Sequence, residues 1–218
     1  MPFGLVIFDC DGVLVDTERL TVGIEARILT ELGWPHTTDA VVAAFMGRSP
    51  SYQRAEITSR LGAEAAALFD ERTDAEVHAA FDRDLTAVPG VEAVLEELYR
   101  RGTTTCVASS GTHERIRRTL GHTGLLAGLQ GRIFSASEVA HGKPAPDLFL
   151  YAAERMGVAP SRCCVIEDSV YGVQAAVSAG MTAFGFGGGL TQPADLEAAG
   201  ATVFGDMADL LAMLDAHA

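Results

Sequence analysis

Short β-rich runs recur along the chain at Leu5 to Phe8, Thr104 to Ala108, Arg132 to Phe134, Cys163 to Ile166 and Thr182 to Phe186. Their length and their content of β-branched and aromatic residues predict strands. Between them the apolar spacing changes to three and four residues. Val91, Val94, Leu95 and Leu98 fall on one face of a predicted helix over Val91 to Arg101, and Ile116 to Leu120 continues that period. Strands alternating with helices imply parallel pairing, so the pattern predicts an α/β fold: a Rossmann-like three-layer α/β/α sandwich with helices on both faces of the sheet.

From Thr17 to Val88 the alternation stops. No strand pattern is present, and Ile24, Ile28 and Leu32, then Val41, Val42 and Phe45, then Val77, Ala80 and Phe81 recur at helical spacing. This predicts an all-helical insertion at residues 17–88, leaving 1–16 and 89–218 as one α/β core. The crossings fall at Val15 to Thr17 and at Thr86 to Gly90, where Pro89-Gly90 breaks the chain direction.

Composition narrows the partners. With 48% hydrophobic and 21% charged residues, the 218-residue chain is expected to form a compact core. A formal charge of −13 repels nucleic acid and anionic membrane surfaces, so neither is expected as a partner. No stretch has the roughly 20 apolar residues of a membrane span, and Phe3 to Phe8 is too short for a signal peptide, which gives a cytoplasmic expectation. A monomer is the default. Cys10, Cys106, Cys163 and Cys164 lie in or beside apolar runs without zinc-ligand or redox spacing and are expected as reduced core residues. The six histidines likewise show no ligand-like spacing.

Candidate chemistry lies where strands end. The run Leu5 to Phe8 leads into Asp9-Cys10-Asp11-Gly12, and ligands in parallel α/β sheets sit beyond the carboxyl ends of strands. If the backbone stays extended, Asp9 and Asp11 point the same way, and two neighbouring carboxylates call for a cation or a shared proton. Hard oxygen donors of this kind suit magnesium. Ser109-Ser110-Gly111 ends the second strand before a helix, where a hydroxyl and backbone N–H groups can hold phosphate oxygens; an ordinary helix cap has the same composition.

Gly142-Lys143-Pro144-Ala145-Pro146-Asp147 holds the only lysine; the other 15 basic residues are arginines. That usage suggests a requirement at Lys143 for a compact ammonium on a flexible stem. A fourth run, Cys163 to Ile166, ends in Glu167 and Asp168. These acids would lie beside Asp9 if the two strands adjoin, completing an oxygen cage.

As a set and in this order, the four sites resemble the four motifs of the haloacid dehalogenase-like hydrolase superfamily. Phe8 to Glu18, Gly142 to Asp147, and Glu167-Asp168-Ser169 with Gly172 look most like its β-phosphoglucomutase and sugar-phosphate phosphatase branch. The resemblance implies a helical cap in the insertion and a magnesium-dependent phosphatase acting on a small phosphorylated metabolite. It implies Asp9 as nucleophile, forming an aspartyl-phosphate, with Asp11 as acid and base, and it gives Ser109 and Lys143 roles in catalysis and phosphate binding. Asp9, the Asp11 carbonyl, Glu167 and Asp168 would hold the metal, and Ser110 and Gly111 would join the phosphate loop. In the cap, Gly47, Arg48 and Ser49 are the candidate substrate contacts, ahead of Arg54 and Arg83.

Relatives with other chemistry fit less well. Asp11 argues against the dehalogenases, which lack a second aspartate, and the absence of a cap lysine argues against Schiff-base chemistry. A phosphosugar mutase is the alternative, weakened by Thr21 and Pro50 where that branch carries a hinge histidine and a substrate arginine. The alternative of another class is a phosphometabolite-binding module without catalysis. The glycine run Gly185 to Gly189 does not open a helix directly and meets the dinucleotide fingerprint poorly.

Overall fold

The computed structural model describes residues 3–45 and 50–217. Six strands, β1 (Leu5–Phe8), β2 (Thr104–Ser109), β3 (Ile133–Ser135), β4 (Cys163–Glu167), β5 (Thr182–Phe186) and β6 (Thr202–Phe204), form one sheet in the order β3-β2-β1-β4-β5-β6. All five pairings are parallel. Every residue of β1 and β4 is buried. A parallel strand covered on both faces has no polar side, which is why these runs read as continuously apolar.

Residues 3–16 and 86–217 make one compact unit, and Thr17–Leu85 makes a second. The second unit is helical: α1 (Thr17–Glu31), α2 (Thr38–Phe45), α3 (Pro50–Leu61) and α4 (Ala63–Asp84). Its interior comes from Val22, Ile28 and Leu29 of α1, Val41 and Phe45 of α2, Ile57 of α3, and Phe69, Val77 and Phe81 of α4, all buried. Across α1 and α4, Arg72 bonds Glu31 at 2.5 Å and Glu76 at 3.2 Å, and Arg27 reaches both acids. These partners are exposed to solvent, which screens the pairs, so they add little to stability.

The chain leaves and re-enters the first unit along paired segments. Val15 bridges Ala87 in antiparallel fashion, the Asp16 N–H donates to the Thr86 carbonyl at 3.0 Å, and the Val88 N–H donates to Leu14 at 3.0 Å.

In the first unit the remaining helices are α5 (Val91–Arg100), α6 (His113–His122), α7 (Leu126–Leu129), α8 (Asp147–Met156), α9 (Val170–Ser178), α10 (Pro193–Ala199) and α11 (Leu210–Ala216). As the period predicts, α5 buries Val91, Val94 and Leu98, and α6 buries Ile116 and Leu120. Leu148, Phe149, Ala152 and Ala153 of α8 join Leu5, Ile7 and Val165 in the core. Truncating Phe149, which has no exposed surface, to alanine should cost about 3–5 kcal/mol through lost burial and the cavity left behind.

Four strands differ from the sequence reading: β2 and β4 each run one residue further, to Ser109 and Glu167. The third begins at Ile133, one residue after Arg132, and β6 was not anticipated. Three residues at a sheet edge, with Thr202 exposed and Phe204 buried, are too few to establish a period of two.

Strand order decides where a site can form. The chain builds outward from β1 to β3 on one side, then crosses to β4 and builds outward on the other. The direction therefore reverses between β1 and β4, and connections diverging there leave a crevice at their carboxyl ends. Asp9 follows β1 directly, and its N–H still donates to Ile166 of β4 at 2.9 Å.

Candidate active site

Asp9, Ser109, Glu167 and Asp168 are all buried at this crevice although they are polar. Burying such groups is costly unless they are paired or hydrogen-bonded. Lys143 provides much of that pairing. Its Nζ donates to Asp9 Oδ1 at 2.5 Å, to Glu167 Oε1 at 2.6 Å and to the Ala108 carbonyl at 3.3 Å. Only 6% of the Lys143 side chain is exposed, and its ammonium stands 5.0 Å from the centre of the Phe149 ring. The chain's single ε-amine is thus drawn inward from the loop before α8 to join the ends of β1, β2 and β4.

Glu167 is held from a second direction. Its Oε2 accepts from the Ser169 N–H at 2.7 Å and from Ser169 Oγ at 2.9 Å, and Ser169 Oγ in turn caps α9 by accepting from the Gly172 N–H at 3.0 Å. Both carboxylate oxygens therefore meet protein donors. Gly172 matters to this arrangement because a β-carbon there would overlap the Glu167 carboxylate.

Asp168 follows β4 directly and is buried as well. A β-carbon on Gly12 would overlap its carboxylate, and one on Gly189 would come within 3.4 Å of its Oδ2. Gly12 also has φ of 83°, a conformation that disfavours side chains, so two constraints meet at that position. Gly189, after β5, thus flanks the acid that follows β4.

The serine loop is braced by its own hydrogen bonds. Ser109 Oγ, at the end of β2, accepts from the Gly111 N–H at 3.1 Å, and the Gly111 carbonyl accepts from Ser135 Oγ at 2.6 Å. Ser135 belongs to a capping box closed by Glu138, which also receives Tyr151 at 3.1 Å and His113 at 2.8 Å. Ser110 points to the surface. α6 then starts with Thr112 accepting from the Arg115 N–H at 3.3 Å.

Asp11 is half-buried and takes a bond from Arg115 Nη2 at 3.1 Å. Arg115 carries no sequence signal beyond its place two and three residues before Arg117 and Arg118. Its side chain meets Asp11 only because β1 and β2 are neighbours.

The electrostatics follow from this packing. Burial pushes the Asp9 carboxyl up, Lys143 pulls it back, and the charges of Glu167 and Asp11 add to the upward push; it ends above its ordinary value. Burial alone would lower Lys143, but Asp9 and Glu167 outweigh it and keep the ammonium protonated. Among the described contacts, the acidic side chains Asp9, Asp11, Glu167 and Asp168 outnumber the cations bonded to them, Lys143 and Arg115.

That imbalance bears on magnesium. Among the described residues, no three His, Cys, Asp or Glu side chains form a ready-made metal cluster. Magnesium does not need one, because it commonly takes one or two carboxylates and retains several waters. Asp9 and Asp168 are buried carboxylates at this crevice, and with the Asp11 carbonyl they would offer hard oxygen donors of the kind magnesium prefers. The donor set fits the ion.

Gly47, Arg48 and Ser49 lie outside the described residues. Arg54 of α3 pairs with Asp70, and Arg83 of α4 pairs with Asp84 at 2.7 Å; both are exposed. A cleft of about 450 Å3 lined by Leu95, Tyr99, Leu125, Leu129 and Arg132 opens near the starting ends of β2 and β3 and includes none of the acids described above.

Comparison with known proteins gives the family of the chain. Residues 3–180 match the family model for haloacid dehalogenase-like hydrolases. A 6-phosphogluconate phosphatase of Escherichia coli is 32% identical over 83% of this chain and 81% of its own length. A fructose-1-phosphate phosphatase of the same organism is 34% identical over 82% of this chain and 93% of its own. The crystal structure of a haloacid dehalogenase-like protein of unknown function from Agrobacterium tumefaciens superposes with a TM-score of 0.89 and 35% identity, covering 99% of both chains. Among the described residues, no helix is long and apolar enough to cross a membrane. Sheet order, strand-end acids and these matches agree: the chain belongs to the haloacid dehalogenase-like hydrolase family, among relatives that are phosphatases.

Proposed function

We propose that this protein is a magnesium-dependent phosphatase that hydrolyses a small phosphorylated carbohydrate through an aspartyl-phosphate on Asp9. The observation that carries the reading is the buried bridge from Lys143 to Asp9 and Glu167 at the point where strand order reverses. An ammonium beside a carboxylate offsets the repulsion that otherwise keeps that carboxylate from an anionic phosphate. The named substrates of the two bacterial relatives, 6-phosphogluconate and fructose 1-phosphate, support the carbohydrate class.

The reaction has two displacements. Asp9 attacks phosphorus while the ester P–O bond breaks, and Asp11 gives its proton to the departing alkoxide. Asp11, now a carboxylate, takes a proton from water as that water attacks the acyl phosphate, which releases inorganic phosphate and restores Asp9. Ser109 and the N–H groups of its loop orient the phosphoryl oxygens, and Glu167 holds Lys143 toward Asp9.

Asp9, Asp168 and the Asp11 carbonyl would hold magnesium, with Glu167 joining only through water because its oxygens are occupied by Lys143 and Ser169. The ion supplies charge neutralisation at the phosphoryl oxygens.

The test is phosphate release from 6-phosphogluconate, fructose 1-phosphate, other phosphorylated metabolites and p-nitrophenyl phosphate, with and without magnesium, for wild type and Asp9→Asn. Magnesium-dependent release that Asp9→Asn abolishes is expected. Tight substrate binding without turnover would assign the protein to the binding modules, and isomerisation of a sugar phosphate without release would assign it to the mutases.

A further inference from the structure

The mechanism above leaves Arg115 unused, yet this side chain touches the residue cast as acid and base. Its guanidinium reaches Asp11 Oδ1 at 3.1 Å across 104 positions of chain. An ordinary surface pair of that length would contribute little. The placement of Arg115 along the serine loop sets this one apart.

Arg115 is anchored at its backbone in the first turn of α6, where the Thr112 side chain accepts its N–H at 3.3 Å. Its stem lies along the serine loop: a β-carbon on Gly111 would stand 3.5 Å from Arg115 Cδ and equally 3.5 Å from Ser109 Oγ. Its head then ends on Asp11, whose side chain is 27% exposed against 40% for Arg115. One residue therefore spans from the phosphate loop after β2 to the acid-base loop after β1.

We propose that Arg115 is a positioning residue that holds the Asp11 carboxyl in register with the serine loop. The inference rests on the reading of Asp11 as acid and base given above. Proton transfer requires the carboxyl to lie within hydrogen-bond reach of the leaving oxygen and later of the attacking water. An aspartate in a partly open loop can rotate away. A planar guanidinium fixed at its own base restricts that rotation, and it does so relative to the loop that holds the phosphoryl group. Misplacement of about 1 Å at a reacting group can cost about 100-fold in rate, so this contact bears on turnover more than on stability.

The experiment measures kcat and KM on the best sugar phosphate of the panel for wild type, Arg115→Ala and Arg115→Lys. The alanine variant is also assayed with added guanidinium ion, and Arg115→Ala is repeated in an Asp11→Asn background. Positioning predicts a fall in kcat of about tenfold or more in Arg115→Ala with KM within about twofold, a smaller fall in Arg115→Lys, partial rescue by guanidinium, and no further loss once Asp11 is asparagine.

A rise in KM at unchanged kcat would make Arg115 a substrate contact and overturn the proposal. Unchanged kinetics, or the same loss with asparagine at position 11, would overturn it as well. Melting temperatures identify a variant that misfolds, in which case Arg115→Lys carries the comparison. If wild type releases phosphate from no substrate, the phosphatase reading fails separately. Crystal structures of wild type and Arg115→Ala then decide: a shifted Asp11 carboxyl supports positioning, and an unmoved one refutes it.

Discussion

The Glu167 carboxylate occupies the space that a β-carbon on Gly172 would need. Alanine usually stabilises a helix relative to glycine by about 1 kcal/mol, so Gly172→Ala in α9 would ordinarily be favourable. Here Glu167 cannot yield cheaply, because it is 1% exposed and tied to Lys143 and Ser169. We expect the clash to prevail, with a net loss of about 1–3 kcal/mol and a fall in kcat as Lys143 loses its second anchor. Thermal melts and steady-state rates of Gly172→Ala check both. A variant more stable than wild type at full activity would show that Glu167 moves freely.

Lys143→Met removes the ammonium bonded to two buried acids. Turnover should fall by about 100-fold or more, the scale seen when one donor to a developing charge is lost. Stability should fall too, since Asp9 and Glu167 then repel without a cation between them. A second cation should relieve part of that repulsion, so magnesium is expected to raise the melting temperature of Lys143→Met more than that of wild type. Equal shifts in the two proteins would place the ion away from this cluster.

The thiols should be silent in the folded protein. Cys10, Cys106, Cys163 and Cys164 are free and buried, and desolvation raises each thiol above its ordinary value, Cys163 to about 11. Because burial disfavours the charged form, the thiolate fraction at pH 8 is negligible and the reactive species is missing. A chromogenic disulfide reagent at that pH should report none of the four in native protein and all four in denaturant. Rapid reaction of any thiol without denaturant would contradict the packing of β1, β2 and β4.

How much of this was legible in advance depended on the range of the interaction involved. Asp9, Ser109, Lys143, Glu167 and Asp168 could be picked out because each follows a short apolar run or interrupts a composition, and such signals lie within a few residues. Arg115 could not, and neither could the close approaches at Gly12 and Gly172. Arg115 reads as one of several arginines in its stretch, and the two glycines stand in the resembling runs without a reason for their lack of a side chain. Their meaning comes from Asp11, Asp168 and Glu167, which reach them only after the chain has folded back. β6 was missed for a related reason, since an edge strand of three residues is defined by its pairing with β5.

The amino-acid order by itself determined the alternation of strands and helices, the strand-free stretch from Thr17, and the residue types that end each core strand, because periodicity and punctuation are local properties of a chain. Tertiary structure alone decided that β1 lies between β2 and β4, that Lys143 turns inward to two acids, and that Arg115 reaches Asp11. Those relationships join residues up to 134 positions apart, and they arise from burying both faces of a parallel sheet, a condition that no short window of sequence contains.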